Sequence, residues 1–198
     1  MTPASLYSMT FRKSTVARGS RPLKLYYMRH GQTTYNVMGL CNDDPADPAD
    51  LTPLGEQQAQ RAADQLKDVS LDRIFVSELP RTQQTAAIVN RDRHLPVEVR
   101  AELNDIRSGF NNRPVAEYFA ATAHDELHAR VNGGESLLDH KARVSEFIDW
   151  LASQDDAAVL VIAHEETLRV FEAYFTKLPD DELRSLHFVN CGVIQREL

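Results

Sequence analysis

The sequence predicts an α/β domain with a mostly parallel central sheet, and three observations predict it. From Leu23 onward, short apolar runs alternate with segments of helical periodicity. The run Ala158–Ala163 (AVLVIA) has no polar interruption, as expected for a central strand covered on both faces. Distinctive polar residues follow directly on three of the apolar runs, where parallel sheets place their ligands.

The elements read in order as follows. Residues 23–28 (LKLYYM) form the first buried strand. Thr52-Pro53 opens a helix, because Thr caps well and Pro is tolerated at the first helical position; Leu54, Ala59, Ala62, Ala63 and Leu66 then share one face. Residues 73–77 (RIFVS) are the second strand, and a helix over about 80–90 follows it. Residues 97–100 make a short strand after Pro96. Ser136 caps a helix whose apolar residues include Leu137, Val144, Phe147, Ile148 and Leu151. After AVLVIA comes a helix over about 166–175, then closing strands at 187–190 and 193–195 around Gly192.

With 198 residues, 42% of them hydrophobic and 26% charged, the chain suits one domain with a real core, placed at 23–198. Residues 1–22 carry Arg12, Lys13, Arg18 and Arg21 and no acid. They read as a disordered basic tail, with Met9 as an alternative start, and resemble a transit peptide only in being basic and Ser/Thr-bearing. No window reaches the roughly 18 apolar residues of a membrane helix, so no membrane partner is expected. The net charge of -7 argues against nucleic acid. Cys41 and Cys191 are too few for a disulfide framework and read as free thiols in a reducing, cytoplasmic setting. Oligomeric state is unreadable.

A chain of this charge that binds phosphate must build a local positive pocket. Arg29-His30-Gly31 follows the first strand, Ser77, Arg81 and Thr82 follow the second, and His164 follows AVLVIA. Two Arg and two His therefore stand at the ends of three strands that can be neighbours. Arg offers a planar fork for two phosphate oxygens. Neutral imidazole is a competent phosphorus nucleophile.

At these residues the sequence resembles the histidine phosphatase superfamily, the group that includes cofactor-dependent phosphoglycerate mutase. Six blocks carry the resemblance in order: Arg29-His30-Gly31-Gln32-Thr33 with Asn36; Leu51-Thr52-Pro53-Leu54-Gly55 with Gln58-Ala59; Ser77-Glu78-Leu79-Pro80-Arg81-Thr82 with Gln84-Thr85-Ala86; Leu103-Asn104-Asp105; Asn132-Gly133-Gly134-Glu135-Ser136; and Val161-Ile162-Ala163-His164. The resemblance implies a three-layer sandwich and a phosphatase that hydrolyses a small phosphorylated metabolite through phosphohistidine on His30. Arg29, Arg81 and His164 would hold the phosphoryl oxygens and Asn36 would add a hydrogen bond. Two guanidiniums and an imidazolium would do the work of a metal, so no metal and no cofactor is implied. A carboxylic acid would protonate the leaving alkoxide and then activate water.

Two carboxyls compete for that last role. The family's larger branch has Glu where this chain has Asp105, one methylene shorter. The same branch follows its second histidine with Gly, whereas Glu165 and Glu166 stand here; the acid phosphatase branch puts its proton donor near this place. Glu165 is therefore either the acid, a substrate contact, or a first-turn residue favoured by the helix dipole. Relatives often carry Arg where Leu40 stands, and the loop from Asn42 to Pro48 is acidic and Pro-rich. Arg107, Asn111, Asn112 and Arg113 contact the leaving group or line a polar loop. His124 and His128 are four apart, which suits zinc on a helix, but the metalloprotease pattern needs Glu after the first His and here it is Asp125. Two rival functions stay open: a mutase, although mutases of this family are longer, and a non-catalytic binding module whose pocket Glu165 has spoiled.

Overall fold

A computed structural model describes residues 22–47 and 49–198. The basic segment of the sequence reading lies, Pro22 aside, outside them. Five strands form one sheet: β1 (Lys24–Arg29), β2 (Arg73–Val76), β3 (Val97–Val99), β4 (Ala158–Ala163) and β5 (Ile194–Glu197), in the order β3-β2-β4-β1-β5. Pairings among β3, β2, β4 and β1 are parallel, and β5 runs antiparallel on the outer edge of β1. The sheet is mostly parallel, as the alternation of elements demands. All six residues of AVLVIA are buried, which is why that segment tolerates no polar side chain.

Helices cover both faces and give the three layers. On one face, Met28, Ile74, Val76, Leu160 and Ile162 meet Ala59, Ala62 and Leu66 of α2 (Pro53–Leu66) and Ala86 and Val89 of α3 (Pro80–Val89). On the other, Leu25, Tyr27, Phe75, Val159 and Val161 meet Val144, Phe147 and Ile148 of α5 (Leu137–Ala152) and Leu168 and Phe171 of α6 (Glu165–Thr176). The alternation of β1 and β2 side chains between the faces follows the strand period of two. Caps start the helices where the sequence placed them. Thr52 Oγ1 accepts from Gly55 N at 3.0 Å, and Ser136 and Asp139 form a reciprocal capping box. Leu54 departs from the expected apolar face of α2: it lies in the first turn and is 44% exposed.

Two short helices were not legible in advance, α1 (Thr34–Met38) and α4 (Val115–Thr122). Around α4 a small third cluster of Ile106, Phe110, Tyr118, Leu137 and Leu183 forms a cap over the carboxyl ends of the strands. The closing strands also need correction. Residues 187–189 are not a strand, and Asn190 makes a single bridge to Arg29; the ladder with β1 begins only at Ile194. Cys191 adopts a left-handed backbone at φ 58° and the chain turns through Gly192, so pairing cannot run continuously. His124 and His128 fall in turns past the end of α4 rather than on one helical face, and His128 bonds to Asp125 at 3.0 Å.

Candidate active site

Register places the catalytic candidates. Arg29 pairs with Ala163 and Val76 with Ile162, so the residues that follow, His30, Ser77 and His164, emerge side by side at one rim. The His30 and His164 rings lie 5.3 Å apart, tilted by 56°. Arg81, near the start of α3, reaches between them: its Nε is 3.1 Å from His30 Nε2 and 3.2 Å from His164 Nδ1. Three residues scattered along the sequence, His30, Arg81 and His164, therefore share one anion-sized spot, and Arg29 stands at its rim, where Nη1 meets Glu165 Oε2 at 2.5 Å and Phe188 O at 3.2 Å.

The hydrogen bonds fix which ring nitrogen is available. His30 Nδ1 lies 2.7 Å from Gly31 O, an acceptor, so this nitrogen carries the proton and Nε2 keeps its lone pair. His164 Nε2 lies 2.8 Å from Ser77 Oγ, which leaves Nδ1 turned to the cradle as acceptor from Arg81. Both histidines are buried, with pKa values well below the usual imidazole range. Burial is the main cause, and the guanidiniums of Arg81 and Arg29 push the same way. At neutral pH His30 is uncharged and nucleophilic.

Asn42 was not recognised as a site residue from sequence. Arg81 Nη1 donates to its Oδ1 at 2.6 Å and Nη2 to its backbone O at 3.0 Å, so Asn42 aims the guanidinium. No spacing signal could have found it, because the contact is made by a loop folding back. That loop is itself held: Asp43 Oδ2 accepts from Ser108 Oγ at 2.9 Å, and Asp47 Oδ2 accepts from Asn111 Nδ2 at 2.7 Å. The acidic run thus fastens the first motif to the cap. Asn111 and Asn112 serve that loop; Arg113 pairs with Glu117 at 2.5 Å on the surface, and Arg107 is largely exposed.

The two candidate acids stand in different surroundings. Asp105 Oδ2 is 3.1 Å from Arg81 Nη2 and 3.8 Å from His164 Nδ1, inside the cradle. Burial raises its pKa above the usual carboxylate range, although Arg81 opposes the shift. Glu165 stands at the rim, 2.5 Å from Arg29 Nη1 and 3.3 Å from both Arg169 Nη2 and His187 Nδ1. Asn36 lines the cavity, but its Oδ1 accepts from Thr33 N at 3.0 Å in the capping box of α1. Its Nδ2 has no partner among the described residues.

A clamp behind Asp105 also escaped sequence reasoning. Arg143 Nη1 donates to Glu102 O at 2.8 Å and Asn104 O at 3.1 Å, and Nη2 meets Glu135 Oε1 at 2.5 Å. Glu135 in turn accepts from Arg107 N at 3.0 Å. Its pKa falls to about 2: burial raises it, but the bonds to His140 and Arg143 outweigh that. The cradle opens into a cavity of about 390 Å³ whose walls also include Val115, Tyr118 and Phe119. Among the described residues no cluster of His, Cys, Asp or Glu is arranged to hold a metal ion, and no helix is long and apolar enough to cross a membrane.

An imidazole lone pair met by a buried guanidinium, with a second imidazole and a carboxyl in the same cradle, is the arrangement of an enzyme of phosphoryl transfer to histidine. The chain belongs to the histidine phosphatase superfamily (branch 1), whose family model matches residues 25–198. It is 34% identical over 170 residues to the adenosylcobalamin/alpha-ribazole phosphatase of Escherichia coli, covering 81% of this chain and 83% of that protein. Among solved structures it resembles the alpha-ribazole phosphatase from Shigella flexneri with a TM-score of 0.79 and 31% identity, over 87% of this chain and 89% of the other. It also resembles a mycobacterial glucosyl-3-phosphoglycerate phosphatase complexed with VO3, with a TM-score of 0.73 and 27% identity, over 89% and 90% of the two chains.

Proposed function

We propose that His30 Nε2 takes the phosphoryl group from a small phosphomonoester and that water then releases it. The observation that carries this reading is the single Arg81 Nε shared between His30 Nε2 and His164 Nδ1, at 3.1 and 3.2 Å. A phosphoryl group that displaces this hydrogen bond meets the nucleophile, Arg81, His164 and Arg29 together. In the first step the Nε2 lone pair attacks phosphorus while the ester P–O bond breaks. Asp105 gives its proton to the departing alkoxide oxygen. In the second step water attacks phosphorus, Asp105 takes the water proton, and the P–N bond breaks to release phosphate. Arg29 and Arg81 stabilise the equatorial charge, His164 joins them once an arriving phosphate monoanion has passed its proton to Nδ1, and Asn36 Nδ2 adds a hydrogen bond.

Asp105 is assigned the acid role in preference to Glu165. It lies inside the cradle beside Arg81 and His164, where burial favours its protonated form, whereas Glu165 stands at the rim against Arg29, Arg169 and His187. Glu165 is assigned to substrate binding. Residues 23–198 constitute the working domain, with the basic segment outside it. The free thiols of Cys41 and Cys191 support a reducing, cytoplasmic setting.

The test is hydrolysis of p-nitrophenyl phosphate by the full chain, with acid- and alkali-stability analysis of the trapped phosphoenzyme. An acid-labile, alkali-stable adduct that disappears in His30→Ala is expected. Turnover that survives in His30→Ala defeats the mechanism.

A further inference from the structure

The cavity beyond the phosphoryl cradle has a charge pattern that speaks to the alcohol half of the substrate. Three guanidiniums line it, those of Arg29, Arg81 and Arg169, and each already faces a carboxyl: Glu165 at 2.5 Å, Asp105 at 3.1 Å and Glu166 at 2.6 Å. No lysine lines it among the described residues. A monoester phosphate, carrying close to two negative charges at neutral pH, draws on Arg29 and Arg81. The His187 ring, also on this wall, faces Glu165 at 3.3 Å. Of the guanidiniums only Arg169 is left for a second anion, and its fork is full. Its Nε donates to Leu186 O at 2.9 Å, Nη1 to Glu166 at 2.6 Å and Nη2 to Glu165 at 3.3 Å.

The acids on this wall are in excess. Glu165 shares one guanidinium with the phosphate and another with Glu166. Glu166 is 8% exposed, and its Oε2 is buried without a hydrogen-bond donor. Its charge is answered on one oxygen only, and the rest of its field falls on the cavity, where it reaches Asp105 and the Tyr118 hydroxyl. Val115, Tyr118 and Phe119 offer the same cavity apolar and aromatic surface. We propose that Glu165, Glu166 and Arg169 form a leaving-group subsite that accepts phosphomonoesters of uncharged or cationic alcohols and turns away those bearing a second anionic group.

This proposal rests on the phosphatase reading and deepens it by naming the substrate class. Glu165 is the group placed to accept from a hydroxyl or ammonium on the leaving group, since it stands at the rim beside Arg29. Glu166 lies behind and contributes charge rather than contact. A carboxylate or second phosphate entering this space lacks a free cation and stands close to two like charges in a partly desolvated cavity, where such repulsion is strong.

The experiment uses a matched pair of esters. Glycerol 3-phosphate and 3-phosphoglycerate share a three-carbon skeleton and differ by a terminal CH2OH against a carboxylate. Each is measured as a competitor of p-nitrophenyl phosphate hydrolysis at neutral pH, for the wild type, Glu166→Gln and Glu165→Gln. Glycerol 3-phosphate is expected to compete at least about tenfold better in the wild type, and that preference to shrink severalfold in either variant as the repelling charge is removed. The proposal is overturned if 3-phosphoglycerate competes as well as its partner, if neither competes, or if the preference is unchanged in both variants. The wild-type preference decides even where a variant fails to fold. Lack of any p-nitrophenyl phosphate turnover counts against the phosphatase reading instead. The same pair is then compared by the rise in melting temperature each produces, with equal rises counting against the subsite.

Discussion

Arg81 Nε and His30 Nε2 stand 3.1 Å apart, so the guanidinium marks the position from which the imidazole lone pair will attack. Arg81 is also held by Asn42 and Asp105 and is only 4% exposed. Lysine has one point charge and cannot bridge these partners in a plane. Arg81→Lys is expected to lower kcat for p-nitrophenyl phosphate by about a hundredfold to a thousandfold, the scale of losing one preorganised donor to developing charge. Steady-state kinetics beside a circular dichroism melt checks this, since an unchanged kcat would remove Arg81 from the reaction.

Asp105 and His30 are expected to set opposite limbs of the pH profile. The depressed pKa of His30 keeps it unprotonated down into acid, and activity falls below that value. The raised pKa of Asp105 keeps it protonated above the ordinary carboxylate range, and activity on alkyl esters falls as pH rises through that value. Asp105→Asn should abolish the high-pH limb and cost about a hundredfold or more with an alkyl phosphate. The loss with p-nitrophenyl phosphate, whose phenolate leaves unaided, should be far smaller. Equal losses with both esters exclude Asp105 as the proton donor.

Glu135 gives the fold an acid-sensitive joint. Its side chain is 4% exposed and its folded pKa lies at about 2, below the ordinary glutamate value. A depressed carboxyl stabilises the fold fully above its unfolded pKa, and that contribution fades as pH falls through about 4 toward 2. The displacement corresponds to roughly 3 kcal/mol. Glu135→Gln should therefore destabilise the wild type by a few kcal/mol at pH 7 and by little at pH 2 to 3. Urea melts at both pH values report it; a difference that does not shrink in acid contradicts the assignment.

Gly55 stands where α2 closes on the first motif. A Cβ there would lie 2.1 Å from Gln32 O, and one on Gly31 would lie 2.6 Å from Gly55 O. These contacts are with backbone, which cannot rotate away. Gly55→Ala is expected to cost about 1–3 kcal/mol, or several degrees in Tm for a domain of this size. It should also lower kcat by displacing the His30 loop. Full stability and full activity in this variant would show that the loop can yield.

What could be read from the sequence was what repeats or abuts. AVLVIA declared itself a central strand because burial on both faces forbids polar residues there. Thr52-Pro53 and Ser136 marked helix starts because capping is local. His30, Arg81 and His164 were legible because each sits within a few residues of a strand end, and parallel pairing then aligns those ends. Asn42 and the Arg143 clamp were illegible for the opposite reason. Arg143 acts on the carbonyls of Glu102 and Asn104, some forty positions away, and no periodicity encodes such a meeting. The segment between Asp105 and Gly134 was opaque because turns and one short helix bind it through side chains rather than through a repeating pattern. The end of the sheet was misplaced because apolar residues near Val189, which is 77% exposed, suggest a strand that the turn at Cys191 interrupts.

β1 delivers Arg29 and His30, and its two edges are held by β4 and β5. Asn190 Nδ2 adds a bond to His30 O at 2.8 Å, and Cys191 N adds one to Arg29 O at 2.9 Å. Gly31 O apart, the partners that seat the nucleophile are thus translated long after it. A nascent chain that has already left the ribosome tunnel with Arg29 and His30 holds a strand with unpaired N–H and C=O groups along both edges and no working centre. Chains truncated before Ala158 are therefore expected to be inert rather than partly active, with β1 left unpaired and open to association.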